Sequence, residues 1–448
     1  MSATRAVILV SGPSRDGGSK YPMLMQEILF KPLLSWISDA LCGVGGHSAC
    51  VVRDDRALDS LLLPCFAPAM TGITVLDAGA PALSQDVLDY VSGGDGEQGE
   101  VLFVTAPALL TAHAVDALSS AHAVGGKFLT ELLTDDEVPT GVFCFSRADA
   151  QRVFSYLDNR FDFAAACKSM NADRLPLGEF FVSDGMGGAA RIQNPLELHM
   201  ARRAMQTAVV EQHMMSGVTV LDPSNTIISA EAVIGRDTTI LPGVIIQGAT
   251  IIGEDCEIGP FTVLSDAIIG DRGVVNASQV YDSQMGTDVR VGPYAYLRPG
   301  CVLGSRIKIG DFVELKNANV GSGAKIPHLS YVGDADVGNG VNIGCGAITV
   351  NYDGHRKHRT TIEEGAFIGC NSNLIAPVTV GKHAYTAAGS TLTGDIPPGA
   401  LGIARARQEI KEGWVSKRHT SEVKDQTPDS NPVCACPAHN KHPAPHNT

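Results

Sequence analysis

Apolar residues in the second half of the chain recur every six positions. This period matches neither an amphipathic helix, whose apolar residues recur at three and four, nor an alternating strand. It fits a triangular solenoid in which each hexad supplies one short face and one corner, and three hexads close a coil. The sequence therefore predicts a parallel β-helix from about Ile228 to Leu392. The repeating residues form three runs, Ile228, Ile234, Ile240, Ile246, Ile252, Ile258 and Leu264; Met285, Val291, Leu297, Leu303, Ile309 and Leu315; and Ile362, Ile368, Leu374 and Val380.

One interruption of the repeat is polar and cationic. Between Thr349 and Ile362 lie ten residues, Val350 to Arg359, that are too many for a corner and include His355, Arg356 and Lys357. Extra residues in a solenoid must leave the prism as a loop, and such loops often carry function. The excursion is therefore the first place to look for a site.

The first half of the chain alternates short apolar runs with helical stretches. Ala6 to Val10 and Val101 to Val104 are typical of buried strands, whereas Leu33 to Leu41 and Thr111 to Ser119 are typical of helices. Strands that alternate with helices predict an α/β domain around a parallel sheet. The predicted organisation is an α/β domain over 1–195, a linker helix over 196–216, the β-helix over 217–415 and a disordered tail over 416–448.

The net charge and the hydropathy of the chain limit the classes of partner that it can bind. The formal net charge of -14 argues against a nucleic-acid partner, so an anionic substrate would need a few local cations. The longest apolar stretch near the N-terminus, Ala6 to Val10, is too short for a signal peptide or a membrane span. We therefore expect a cytoplasmic protein that binds neither nucleic acid nor membrane.

Several motifs of the solenoid resemble the acetyltransferase domain of the GlmU family. They occur in the family's order and spacing between about Gly217 and Trp414, and they are Leu297-Arg298-Pro299-Gly300, Phe312-Val313-Glu314-Leu315-Lys316, His328-Leu329-Ser330-Tyr331, Val341-Asn342-Ile343-Gly344, Asn351-Tyr352-Asp353-Gly354 and Ala376-Pro377-Val378-Thr379. Members of this bacterial family acetylate glucosamine 1-phosphate with acetyl-CoA and couple the product to UTP, which yields UDP-N-acetylglucosamine for the cell envelope. The resemblance implies a left-handed β-helix and a homotrimer.

The resemblance also implies a set of site residues. His328 matches the family's catalytic base, and its reference pKa of about 6.5 suits proton removal at neutral pH. The sugar-phosphate contacts map to Arg298, Lys316, Tyr331, Asn342 and Lys357, and the coenzyme A contacts map to Cys345, Asn351, Tyr352, Cys370, Ala388 and Arg405. Two positions depart from the pattern, because the family has a small residue at 345 and a serine at 370. A nucleophilic Cys345 is disfavoured, since no adjacent base is evident from the sequence.

The first half departs from the family's uridyltransferase signature. The family's Leu-Ala-Ala-Gly-x-Gly-Thr-Arg-Met reads here as Leu9 to Asp16, where the second glycine is lost and Pro13 removes a backbone N–H from the phosphate loop. The lysine after proline is replaced by Met23, and the Gly-Asp metal ligand falls at Thr105-Ala106. Asn194 survives as the second metal ligand. We therefore predict a nucleotidyltransferase-like, Rossmann-like fold without uridyltransferase activity, with Mg²⁺ relevant only if that site is active.

Four functions remain open at this point. The favoured one is a glucosamine-1-phosphate N-acetyltransferase; the others are a fully bifunctional enzyme, an acetyltransferase for another amino sugar and a non-catalytic trimeric scaffold. The scaffold needs neither His328 nor the cationic loop. A zinc hydrase is disfavoured because the solenoid's histidines, His328, His355, His358 and His383, lack the spacing that brings three imidazoles to one metal.

Overall fold

The computed structural model describes residues 4–10, 21–93, 99–134, 136–157, 161–176, 181–182, 185–186 and 188–422. The chain forms two compact units, one over 1–404 and one over 405–448. The predicted phosphate loop between residues 11 and 16 and most of the tail lie outside the described residues. No helix among the described residues is long and apolar enough to span a membrane.

The N-terminal part of the larger unit is an α/β layer. Its strands are β1 Arg5–Val10, β2 Glu27–Ile28, β3 Lys31–Pro32, β4 Ser48–Arg53, β5 Gly72–Asp77, β6 Glu100–Val104, β7 Ala108–Leu110, β8 Thr130–Leu133, β9 Pro139–Ser146, β10 Asp173–Pro176, β11 Phe181–Val182, β12 Gly185–Met186 and β13 Ala189–Arg191. Its helices are α1 Leu33–Gly43, α2 Asp59–Leu62, α3 Leu83–Ser92, α4 Ala112–Gly125, α5 Ala150–Phe154, α6 Phe163–Met170 and α7 Pro195–Met215.

Seven of these strands form one sheet in the order β10-β8-β9-β6-β1-β4-β5. Strands β5, β4, β1 and β6 run parallel, as the alternation of strands and helices predicts, and β9 pairs antiparallel with both β6 and β8. Apolar residues cover both faces of the sheet. Phe103, Phe143, Phe145, Phe154 and Phe163 pack together on one of them.

Helix α7 joins this layer to the solenoid. Asn194 caps its first turn, because the side-chain Oδ1 accepts hydrogen bonds from the backbone N–H groups of Leu196 and Glu197 at 3.0 and 2.9 Å. Met205 and Val209 are buried on the face that packs toward the sheet and the first coils. A single apolar core therefore runs from the sheet through α7 into the solenoid.

The solenoid is a parallel β-helix with three faces. Face A carries β14 Thr219–Val220, β17 Thr239–Ile240, β20 Glu257–Ile258, β23 Val274–Val275, β26 Arg290–Val291, β29 Lys308–Asp311, β31 Lys325–His328, β33 Asn342–Ile343, β36 Phe367–Ile368, β39 Tyr385–Thr386 and β41 Leu401–Gly402. Face B carries β15 Ile227–Ile228, β18 Ile245–Gln247, β21 Val263–Ser265, β24 Gln279–Tyr281, β27 Tyr296–Leu297, β34 Ile348–Val350, β37 Asn373–Ile375 and β40 Thr391–Leu392.

Face C carries β16 Val233–Ile234, β19 Ile251–Ile252, β22 Ile268–Ile269, β25 Ser283–Met285, β28 Cys301–Leu303, β35 Thr360–Ile362 and β38 Val378–Val380. Two longer strands, β30 Glu314–Val320 and β32 Tyr331–Val337, run across faces B and C. The hexad residues point inward, as the repeat predicts, and Leu297, Leu315 and Ile368 are completely buried. The described part of the smaller unit ends in helix α8 Trp414–Glu422.

The corner between faces A and B, here called edge AB, has left-handed backbone on coil after coil. Phe261, Tyr294, Phe312 and Leu329 all have φ between 39 and 58°. Their side chains are more than half exposed, and the rings of Tyr294 and Phe312 stack with centroids 5.7 Å apart. Edge AB therefore presents an apolar ridge to the outside of the prism.

Candidate active site

Four predicted site residues lie in one column beside edge AB. Lys325 pairs with Asn342 and Tyr331 with Ile348, so the register on both sides of His328 places Cys345 level with it on the next coil. The same reasoning continues to Cys370 and Ala388, because the register is constant on both sides of each residue. The structure thus aligns the predicted base with three predicted coenzyme A contacts.

His328 is held from the coil before it. Asp311, which ends strand β29, is its Cα partner in the ladder, and Asp311 Oδ1 lies 2.8 Å from His328 Nδ1. Both side chains are about half exposed. The hydrogen bond with His328 lowers the pKa of Asp311, so the carboxyl group is ionised at neutral pH.

Three predicted phosphate-binding cations lie together at the opposite end of face B. Leu297 pairs with Leu315, so Lys316 follows directly above Arg298. Arg298 Nη1 donates to Glu314 Oε1 at 2.9 Å, which fixes the direction of the guanidinium and leaves its other N–H groups for a ligand. The sequence did not indicate this role for Glu314.

Lys316 and Lys357 crowd each other. The neighbouring ammonium group of Lys357 lowers the pKa of Lys316, and burial and the charge of Arg298 act in the same direction, whereas the charge of Asp334 opposes them. Like charges at such short range disfavour one another unless an anion lies between them. The cluster of Arg298, Lys316 and Lys357, which Glu314 and Asp334 partly neutralise, is therefore a candidate anion site.

Asp334 organises the floor of this cluster. It accepts hydrogen bonds from Asn317 Nδ2 at 2.6 Å and from Asn351 Nδ2. Burial opposes its ionisation, but the hydrogen bonds from Asn317 and Asn351 and the charges of Lys357 and Lys316 outweigh burial and lower its pKa. Asn351 is thus a buried hydrogen-bond donor that orders the site, in addition to its predicted role as a coenzyme A contact.

Tyr331 connects the two ends of face B. Its hydroxyl lies 3.4 Å from Asn351 Nδ2, and the ring crosses over Gly333, where a Cβ atom would come within 2.3 Å of that hydroxyl. Only glycine at position 333 leaves room for this path. Tyr331 therefore occupies the surface between the His328 column and the cationic cluster.

The cationic excursion is an ordered loop. The backbone N–H groups of His355 and Arg356 donate to Asp353 Oδ1 at 2.7 and 2.6 Å, and His358 Nε2 lies 2.8 Å from Asp353 Oδ2. Those three contacts, the Arg356 amide first, lower the pKa of Asp353 to about 2. Tyr352 and Lys357 form an isolated antiparallel β-bridge, and the Tyr352 hydroxyl donates a hydrogen bond to Gly354 O at 2.7 Å.

Arg359 anchors the far end of this loop. Its guanidinium makes two hydrogen bonds to the carboxylate of Asp336, at 2.6 and 2.8 Å, and a third to Ala335 O at 3.0 Å. A two-point contact of this kind fixes orientation as well as position. The loop therefore presents Lys357 to the cluster from a fixed base.

The remaining predicted residues lie elsewhere. Asn342 is on face A, at the start of β33, and not in the cationic cluster at the other end of face B. Tyr352 is more than half exposed. Arg405 is exposed at the start of the smaller unit.

In the described part of the N-terminal layer, the positions that match the family's metal ligands offer no carboxylate for a magnesium ion. Asn194 Oδ1 is engaged in capping α7, and Thr105 Oγ1 donates to Gly141 O at 3.0 Å, with Ala106 beside it. At the same edge Asp77 is engaged by Arg53 and Arg56. Within the described residues, no group of three His, Cys, Asp or Glu side chains is placed to hold a metal.

Comparisons with known proteins agree with this architecture. The family model described as bacterial transferase hexapeptide (six repeats) matches residues 231–266 and 359–394. The bifunctional protein GlmU of Heliobacterium modesticaldum is 38% identical over 472 residues, which cover 94% of this chain and 99% of the relative. That of Geobacillus thermodenitrificans is 46% identical over 460 residues, covering 92% and 97%. That of Clostridioides difficile is 35% identical over 458 residues, covering 93% and 98%.

Proposed function

The chain belongs to the GlmU family, and from that premise we propose that it transfers acetyl from acetyl-CoA to the amine of glucosamine 1-phosphate. The product, N-acetylglucosamine 1-phosphate, would serve the cell envelope. The observation that carries this proposal is the convergence of Arg298, Lys316 and Lys357 on adjacent coils and the loop, an arrangement that fits an anion such as a sugar phosphate.

His328 and the cluster divide the reaction between them. Arg298, Lys316 and Lys357 bind the phosphate, and the amine lies toward His328. The amine nitrogen attacks the thioester carbonyl and forms the C–N bond, while His328 Nε2 takes one proton from that nitrogen. The C–S bond then breaks, and the same proton passes to the departing thiolate, which gives coenzyme A. No acyl-enzyme is required.

The acetyl-CoA thioester lies along the column above His328. Cys345, Cys370 and Ala388 have small side chains there, so their surface leaves room for a pantetheine arm. Cys345 is acceptable if the contact is through its backbone, whereas Cys370 lacks the hydroxyl of the family's serine. Asn351, Tyr352 and Arg405 complete the proposed coenzyme A set, and Tyr331 and Asn342 the proposed sugar set.

We infer that uridyltransferase activity is absent. The inference is supported by the engaged oxygen of Asn194 and by Thr105 and Ala106 at the position of the family's metal ligand. At these two described ligand positions a Mg²⁺ ion would find neither a carboxylate nor a free amide oxygen. The altered loop from Leu9 to Asp16, with Pro13, agrees with this inference from sequence alone.

The active form is proposed to be a homotrimer. The apolar ridge of edge AB lies directly beside the His328 column, and exposed stacked rings such as Tyr294 and Phe312 are typical of a surface that another subunit covers. A second copy is the occupant this ridge fits, because the resemblance implies assembly through the solenoid.

Two assays on the purified full-length chain test the function. In the first, acetyl-CoA and glucosamine 1-phosphate are supplied and free thiol is followed; in the second, UTP, Mg²⁺ and N-acetylglucosamine 1-phosphate are supplied and pyrophosphate is followed. We expect thiol release without pyrophosphate. Pyrophosphate release would establish the bifunctional enzyme instead, thiol release only with another amino sugar would reassign the substrate, and silence in both assays would favour the scaffold.

A further inference from the structure

His328 needs a fixed ring to act as a base, and its own strand does not provide one. The side chain is 56% exposed, so packing does not select one orientation of the imidazole. An imidazole without a partner exchanges its proton between Nδ1 and Nε2, and only one of the two tautomers places a lone pair on Nε2. A neighbouring group must therefore select the tautomer.

Asp311 is the group in position to select it. We propose that Asp311 is a positioning residue that fixes the tautomer and the direction of His328 and stabilises the imidazolium formed when His328 takes its proton; this inference rests on the proposed acetyl transfer. Asp311 Oδ1 lies 2.8 Å from His328 Nδ1. Nδ1–H donates to the carboxylate, and Nε2 is left as the base.

The backbone makes this contact a fixed part of the ladder. Asp311 and His328 are Cα partners, and Leu329 N donates to Asp311 O at 2.9 Å. Phe312 and Leu329, the residues that follow them, both have left-handed φ, so the two strands turn at the same level. Ser330 Oγ donates to His328 O at 2.8 Å. The coil geometry itself therefore holds the carboxylate under the ring.

The charged and titratable neighbours of His328 leave Asp311 as its direct partner. From the preceding coil, Lys308 on β29 acts on Asp311 and lowers its pKa together with His328. On its own strand the nearest charge is Lys325, at the start of β31. From the following coil the level residue is Cys345. Among these groups in the described part of the chain, Asp311 is the one that forms a hydrogen bond with the imidazole ring.

The test compares Asp311→Asn and Asp311→Ala in the full-length protein by kcat, by KM and by the pH profile of kcat/KM. Asn keeps an oxygen that accepts from Nδ1–H but removes the charge that stabilises the imidazolium, so we expect the acid limb to move to lower pH. Ala removes both, and we expect kcat to fall at least about tenfold. Because the proposal gives Asp311 no direct contact with either substrate, KM for both substrates should stay within about threefold in either variant.

Two further variants sharpen the comparison. Asp311→Glu, which restores a carboxylate, should recover part of the rate. Asp288→Asn is the matched control, since Asp288 makes a similar cross-coil contact, with Arg272 at 2.8 Å, away from the site. Wild-type kcat and an unmoved acid limb in Asp311→Ala would overturn the positioning role while leaving acetyl transfer intact. A wild-type protein that releases no thiol would instead contradict the proposed function.

Discussion

At the residue scale, the cationic cluster shows how neighbours define a site. Arg298 alone is a surface arginine paired with Glu314, and Lys316 alone is a surface lysine. Their role changes when Lys357 approaches from the loop, because three positively charged side chains then lie next to one another. An anion relieves that repulsion, and its binding should also raise the pKa of Lys316 again.

Removing one of these cations should weaken sugar-phosphate binding selectively. For Lys357→Ala we expect KM for glucosamine 1-phosphate to rise roughly 10- to 100-fold, since a charge-assisted hydrogen bond to phosphate is lost. KM for acetyl-CoA should change little. Steady-state kinetics with each substrate varied in turn measures both. Lys382→Ala, an exposed lysine beside Glu364, is the control, and an equal effect in both variants would contradict the assignment.

The loop should depend on the charge of Asp353. Its folded pKa of about 2 lies below the ordinary carboxyl value of about 4, so its stabilising effect is complete above pH 4 and is lost as pH falls through 2. We expect Asp353→Asn to speed tryptic cleavage after Arg356 and Lys357 at neutral pH. The difference in melting temperature between this variant and the wild type should be constant above about pH 4 and shrink as pH falls toward 2.

Cleavage at the same rate in both proteins would show that Asp353 does not order the loop. Asp288→Asn serves again as the control, because its carboxylate pairs with Arg272 on a distant coil.

At the element scale, the hexad pattern predicted the solenoid because inward residues repeat with the coil. The same count also links Asp311 to His328, since each follows an inward isoleucine, Ile309 or Ile326, by two positions. That signal was present in the sequence. The contacts of Asp334 with Asn317 and Asn351 were not predictable, because they depend on how a ten-residue loop folds back on the prism.

In the N-terminal half, the sequence predicted the fold but not the role of a motif residue. Strand and helix alternation predicted the sheet, and α1 and α4 form where the sequence indicated helices. Asn194 matched a metal ligand by position, yet its oxygen caps α7, and that role follows from its place immediately before a helix that begins with proline. Matching a motif residue by residue does not reveal which hydrogen bonds compete for it.

The interior ladder should carry much of the solenoid's stability. Leu315 is fully buried between coils, so Leu315→Ala should lower the free energy of unfolding by about 2 to 5 kcal/mol through lost burial and a residual cavity. Val302→Ala is the control, because Val302 is 47% exposed on face C. Chemical denaturation followed by circular dichroism measures both. A loss at Leu315 no larger than at Val302 would contradict a tightly packed core.

At the scale of the whole molecule, one continuous apolar core joins two halves for which we propose different activities. The solenoid combines the proposed base, the proposed anion site and an apolar ridge within a few coils. At the described carboxyl edge of the sheet, by contrast, Thr105 and Asn194 are already engaged in hydrogen bonds. The proposed loss of one activity therefore leaves the N-terminal layer as a folded extension of the acetyltransferase.

Assembly should depend on the apolar ridge. We expect Phe312→Asp to convert the proposed trimer to monomers, because a charge at a covered aromatic position must be desolvated without a partner. Light scattering after size-exclusion chromatography gives the mass directly. Phe367→Asp is a matched control, since Phe367 is also exposed and stacks on Tyr385, but on face A. A trimer that persists in Phe312→Asp would place the interface elsewhere.

The column that carries His328 also carries two thiols, Cys345 and Cys370, on successive coils. The family pattern has a small residue and a serine at these positions, neither of which reacts with soft electrophiles. If coenzyme A binds along this column as proposed, a chloroacetamide or acrylamide attached to a pantetheine-like arm should be delivered to these sulfur atoms and bond to them irreversibly. The same compound would dissociate from relatives that lack the thiols. The aligned coils thus make covalent labelling of the two thiols a direct test of the proposed coenzyme A column.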